Sequence, residues 1–141
     1  MKSSRRRSRE FVLQGLYQWQ LAQTDPQNIA KQLAEAKGFE KIDTEYFMAL
    51  LNGTVGNAPA LEQEIAPCLD RGFKHLSPVE RGILLLACFE FMHQPQVPYR
   101  VVINEAVELA KAYGGTDGHK FVNGVLDKLA SRVRTAEMGA A

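Results

Sequence analysis

At 141 residues the chain has room for one domain, and a domain of that size buries roughly 68% of the surface its unfolded form exposes. With 45% apolar and 23% charged residues and a net charge of +1, the composition excludes a disordered segment and a uniformly basic coat for a polyanion. The longest apolar run, GILLLACF, is too short to cross a bilayer, and no apolar signal core follows the charged start, so the expected compartment is the cytoplasm.

The first element predicted is a helix over residues 4–23, in which Val12, Leu16 and Trp19 form one stripe flanked by Leu13 and Tyr17. Its start is unusual. Residues 2–10 read KSSRRRSRE, placing Lys2, Arg5, Arg6, Arg7 and Arg9 together, whereas residues 10–141 hold 12 basic and 16 acidic side chains. A helix N-terminus carries partial positive charge, and each cation there costs roughly 0.3–1 kcal/mol. Four arginines in that turn oppose stability unless an anion binds, and guanidinium forks beside free helix amides are what phosphates seek. Arg5 and Arg9 share a face at i, i+4, and Glu10 stands where it can pair with Arg6. The alternative is a solvated basic end.

Asp25 before Pro26 marks the start of a second, weaker helix carrying Ile29 and Leu33 and stopping near Gly38. Asp43 caps a third, with Phe47, Leu50, Leu51 and Val55 along one side, and Pro59 kinks or breaks the chain near GNAPA before helix resumes through Leu61 and Ile65. Ser77, Pro78 and Glu80 form a capping-box start to the helix ILLLACFEF, which is apolar nearly all round and so central. The prolines at 95 and 98 end it, and are the place to divide two helical subdomains. A further helix carries Val102, Ala106, Leu109 and Ala110 to a left-handed stop at Gly114. Asp117 caps the last, which carries Phe121, Val122, Val125, Leu126 and Leu129. The tail, residues 135–141, reads as frayed. No segment alternates with period two, so the fold class is all-α, a compact single domain of about seven helices.

Enzyme chemistry finds little footing. His75, His93 and His119 stand apart from one another and from Cys68 and Cys88, which read as buried reduced thiols, so no metal site is expected. GGTDG follows a helix, which makes it a turn and not a phosphate loop. Paired glutamates such as Glu105 and Glu108 are more often a solvated face than a catalytic pair, and Lys111 is available to Glu108; for Glu105, with Asn104 and Asn123, the first reading is instead a buried polar group tying the last two helices together.

INEAVELAKAYGGTDGHKFVNGVLDKLA at 103–130, with the Arg-rich opening, LQGLYQWQ, VERGILLLACFE and VPYRVVINEA in the same order, resembles the NusB family of bacterial transcription antitermination factors. The resemblance implies two helical bundles, no cofactor and no catalysis. It also implies pairing with the ribosomal protein NusE, joint binding of the single-stranded boxA element of nascent ribosomal RNA, and entry into the RNA polymerase antitermination complex. It assigns RNA contact to Lys2, Arg5, Arg6, Arg7, Arg9, Asp117, Lys120 and Phe121, and NusE contact to Tyr17 and Glu80. By periodicity alone Phe121 belongs to the core stripe of Val125, Tyr17 is core with its hydroxyl at the rim, and Glu80 closes a capping box. Lys74 departs from the acid some relatives carry there, and Pro59 interrupts a helix the family makes continuous. A similar domain precedes the catalytic domain of some rRNA cytosine methyltransferases, and the sequence offers no such domain after residue 141. The competing readings are an interaction adaptor that never touches RNA and a detached RNA-binding domain of such an enzyme.

Overall fold

The computed structural model describes residues 2–138, and the chain forms two compact units, residues 1–56 and 57–141. The division therefore falls between Gly56 and Asn57 and not at the proline cluster. Among the described residues every regular element is helical: α1 (Ser4–Ala22), α2 (Pro26–Leu33), α3 (Thr44–Gly56), α4 (Ala58–Ile65), α5 (Pro78–His93), α6 (Tyr99–Tyr113), α7 (Gly118–Val133) and α8 (Thr135–Met138), with three short 3₁₀ turns between α2 and α3 and between α4 and α5.

In the first unit α1 lays Val12, Leu13 and Leu16 against α2 and α3, whose Ile29, Phe47, Leu50 and Leu51 are fully buried. Phe11, Phe39 and Phe47 continue the packing as successive edge-to-face rings, each pair of centroids 5.3 Å apart. Gly15 lets the helices close: a Cβ there would stand 3.0 Å from the Ile29 side chain and 3.2 Å from that of Leu51. Asp43 caps α3 as its position suggests, Oδ1 accepting from the Tyr46 amide at 3.0 Å. Asp25, by contrast, precedes α2 without a side-chain cap bond. Val55 is only half-buried, and Thr54 takes its place inside. α3 stops at Gly56, and Pro59 sits in the first turn of α4, where its missing amide proton costs nothing.

The second unit is built around α5, whose residues 82–91 are all buried beneath α4, α6 and α7. Ser77 caps it, accepting from the Glu80 amide at 3.1 Å. Its far end is closed by a group the periodicity did not reveal. The buried guanidinium of Arg134 donates through Nε to the Phe91 carbonyl at 2.8 Å and through Nη2 to the carbonyls of Glu90 and Gln94, both at 3.2 Å. Pro95, four residues after Phe91, has no amide proton to give, so Nε serves the orphan Phe91 carbonyl at the negative end of the helix, while the Glu90 and Gln94 carbonyls also accept from the Gln94 and Val97 amides at 3.0 Å. Nη1 pairs with Glu137 at 2.6 Å, and Glu137 accepts from the Tyr99 amide at 2.9 Å. Residues 135–138 are thus an anchored helical turn and not a frayed tail, while the rest of the predicted fray, residues 139–141, lies outside the described residues.

The loop between α6 and α7 corrects two expectations. Gly114 is extended, with φ −89° and ψ 178°, so it supplies no left-handed stop. Glycine is required there by close approach, since a Cβ would lie 2.7 Å from the Ala110 carbonyl oxygen. The left-handed residue is Asp117, with φ 67°, which precedes α7 but makes no side-chain cap bond. Cys68 and Cys88 are buried and unpaired with each other, and burial pushes the Cys88 thiol up to about 12. Among the described residues no helix is long and apolar enough to cross a membrane, and no group of side chains is arranged to hold a metal ion.

Candidate nucleic-acid interface

The basic segment is part of α1 itself. Ser3 caps the helix, accepting from the Arg6 amide at 3.1 Å, and no acid occupies the first turn. The Ser8 hydroxyl accepts from the Asp43 amide at 2.9 Å and lies within 2.9 Å of the Ser4 carbonyl, which pins the start of α3 to the basic turn. That junction brings Tyr46 beneath two arginines: Arg5 Cζ stands 4.1 Å from its ring centroid and Arg9 Cζ 5.3 Å.

Burial separates the five cations. Lys2 and Arg5 are exposed, Arg6 and Arg7 half-buried, and Arg9 is 4% exposed, its Nη2 donating to the Tyr46 hydroxyl at 3.4 Å. Arg9 is therefore packed within the first unit and withdrawn from solvent, unlike the other four cations. Glu10 lies 2.6 Å from Lys2 Nζ, a partner the helical spacing with Arg6 did not suggest, and Arg5 Nε is 3.6 Å from Asp43 Oδ2. Exposed pairs of this kind contribute only about 0–1 kcal/mol, so a phosphate can displace them. On the same helix Tyr17 is 45% exposed and Leu21, one turn on, 59%. Tyr17 is thus not a core residue.

In the second unit the start of α7 gathers Asp117, Lys120 and Phe121. Asp117 Oδ1 stands 3.4 Å from Lys120 Nζ, with both side chains about three-quarters exposed. Phe121 leaves the core stripe, which runs through Val122, Val125, Leu126 and Leu129, and is half-buried under the Arg71 guanidinium, 5.3 Å from its ring centroid. Arg71 belongs to this patch, and no helical period could reveal it because it lies in the loop before α5. Glu80 Oε2 sits 3.2 Å from where a Cβ on Gly118 would be, so the carboxylate lodges at the α7 N-terminus, where the helix dipole favours it, and the capping box is left half-made. Lys74 is exposed in a 3₁₀ turn.

Asn104 and Asn123 are exposed, not buried, and Glu105 is half-buried. The two asparagines line a groove between α6 and α7. Lys111 pairs with Glu108 at 3.6 Å, as the spacing suggests.

Comparison with known proteins accords with these features. The NusB family profile matches residues 6–131. The transcription antitermination protein NusB of Nitrosospira multiformis is 61% identical over 132 residues, covering 94% of this chain and 84% of that protein. Among solved structures, T. maritima NusB superposes with a TM-score of 0.85 at 30% identity, covering 99% of both chains. A crystal structure of the antitermination factors NusB and NusE in complex with dsRNA contains a chain matching with a TM-score of 0.82 at 27% identity, over 90% of this chain and 96% of that one. The all-helical architecture, the basic α1 start and the match across nearly the whole length lead to one assignment: the chain belongs to the NusB family of antitermination factors, not to a family of enzymes.

Proposed function

We propose that this protein binds the boxA element of nascent ribosomal RNA together with NusE and, within the RNA polymerase complex in the cytoplasm, suppresses premature termination. The observation that carries the reading is the acid-free first turn of α1, with Lys2 and Arg5 exposed, their ion pairs with Glu10 and Asp43 weak and Arg5 resting on the Tyr46 ring. A strand of phosphates relieves the repulsion of these cations with one another and with the helix dipole. The relative solved with NusE and dsRNA supports an affinity for RNA in this family. Preference for a single strand rests on Phe121, whose partly exposed ring suits an unpaired base, with stacking worth roughly 1–3 kcal/mol. Lys120 and Asp117 flank that base. NusE contact is assigned to Tyr17, whose ring stands out from α1 beside Leu21, and to Glu80.

The test is a titration of boxA RNA with and without NusE at several salt concentrations. Replacing Lys2, Arg5 and Arg7 by Ala is expected to weaken binding and flatten the log–log salt slope by about 2, near 0.7 for each phosphate of a single strand. Unchanged affinity and slope would remove the basic turn from the mechanism. Retained NusE binding with no RNA binding by the unmodified protein would favour an adaptor that never touches RNA.

A further inference from the structure

α6 and α7 form an antiparallel hairpin, so early residues of one face late residues of the other, and between them runs a groove of about 480 Å³. That volume lies within the ~300–1,000 Å³ range of small-molecule sites. Near its middle stand Asn104 and Asn123, whose carboxamides hydrogen-bond no other described residue. Each offers an acceptor beside two donors, the pattern that pairs with a base edge. Tertiary packing does not use these groups, although they project from the most tightly paired helices of the unit.

The groove is polarised along its length. At the loop end Lys111, His119 and Lys120 line it, and the two lysines are engaged only by the exposed acids Glu108 and Asp117, at 3.6 and 3.4 Å. At the other end the Asp127 carboxylate stands with the Arg100 guanidinium, whose Nε donates to the Tyr99 hydroxyl at 3.0 Å, so the two charges offset one another there. A phosphate is therefore favoured at the loop end, with the base lying inward between the carboxamides. Lys120 immediately precedes Phe121, so a strand stacked on that ring has only to pass over the start of α7 to enter.

We infer that the α6–α7 groove is a second nucleotide subsite, in which Asn104 and Asn123 read one base of an RNA strand and Lys111 and Lys120 hold its phosphate. The inference rests on the RNA-binding reading above and extends it to sequence discrimination.

The experiment uses the full chain with NusE and single-stranded boxA oligonucleotides in which each base is changed in turn. The expected result is that Asn104→Ala/Asn123→Ala binds the parent oligonucleotide about tenfold more weakly, the loss of one bidentate base contact, with its salt slope unchanged. It also loses discrimination at one position. In the unmodified protein the side-chain amide resonances of both asparagines shift on adding RNA, a readout that does not depend on how the variant folds. If those resonances stay still and the variant keeps full affinity while Phe121→Ala weakens binding, the groove is not a subsite and the RNA reading stands. If the unmodified protein with NusE binds no RNA, both fall together.

Discussion

Arg9→Ala separates the one arginine of the basic turn that packs from those that face solvent. The side chain is 4% exposed, its guanidinium lies 5.3 Å from the Tyr46 ring centroid, and Nη2 reaches the Tyr46 hydroxyl. Losing the cation–ring attraction costs about 0.5–2 kcal/mol and the long hydrogen bond about 0.5 kcal/mol. Two buried methylenes, Cγ and Cδ, at about 0.8 kcal/mol each bring the gross loss to about 3 kcal/mol. Relief of a buried charge offsets part of it, leaving about 2 kcal/mol. Trp19, the only tryptophan of the chain, lies in the same unit, so its fluorescence during urea unfolding reports the change. Arg9→Met, which keeps the stem but not the charge, should recover about half the loss, and neither variant should alter the salt slope of RNA binding. A destabilisation below about 0.5 kcal/mol, or a slope change equal to that of Arg5→Ala, would refute the assignment of Arg9 to packing.

The Thr54 hydroxyl is buried with no hydrogen-bond partner, so Thr54→Val should stabilise the first unit by about 1 kcal/mol in the same fluorescence assay, and a loss would mean that the hydroxyl is satisfied in solution. Arg134→Met strips the Phe91 carbonyl of its donor, while the Glu90 and Gln94 carbonyls keep the Gln94 and Val97 amides, and should cost about 1–3 kcal/mol, seen as a lower helical melting temperature and faster amide exchange in the last turn of α5. Because Cys88 titrates near 12 when folded and near 9.0 when exposed, its contribution is complete below pH 9 and declines as pH rises from there. The stability of the unmodified protein relative to Cys88→Ala should fall by about 1.4 kcal/mol per pH unit between those values, as measured by urea unfolding at pH 8, 10 and 11, and a constant difference would show the thiol to be accessible.

Local rules were enough for much of this protein. The stripes of α1, α3 and α7, the Ser77 and Asp43 caps and the break ahead of Pro59 each depend on residues within a few positions of one another, and period, cap chemistry and proline geometry act at that range. The cationic start of α1 was equally legible, since a charge run is a property of the sequence itself. Tertiary structure alone decided which of those cations remain at the surface, because Tyr46 comes from another helix and takes Arg9 out of solvent. It also carried Arg71 onto Phe121, Arg134 onto the end of α5 and Glu80 to the start of α7, contacts between positions far apart in the chain that no periodicity encodes. Asn104 and Asn123 show the same limit: helical spacing fixes which residues share a face, but only the rotation at which α6 packs against α7 determines whether that face looks inward or lines an open groove.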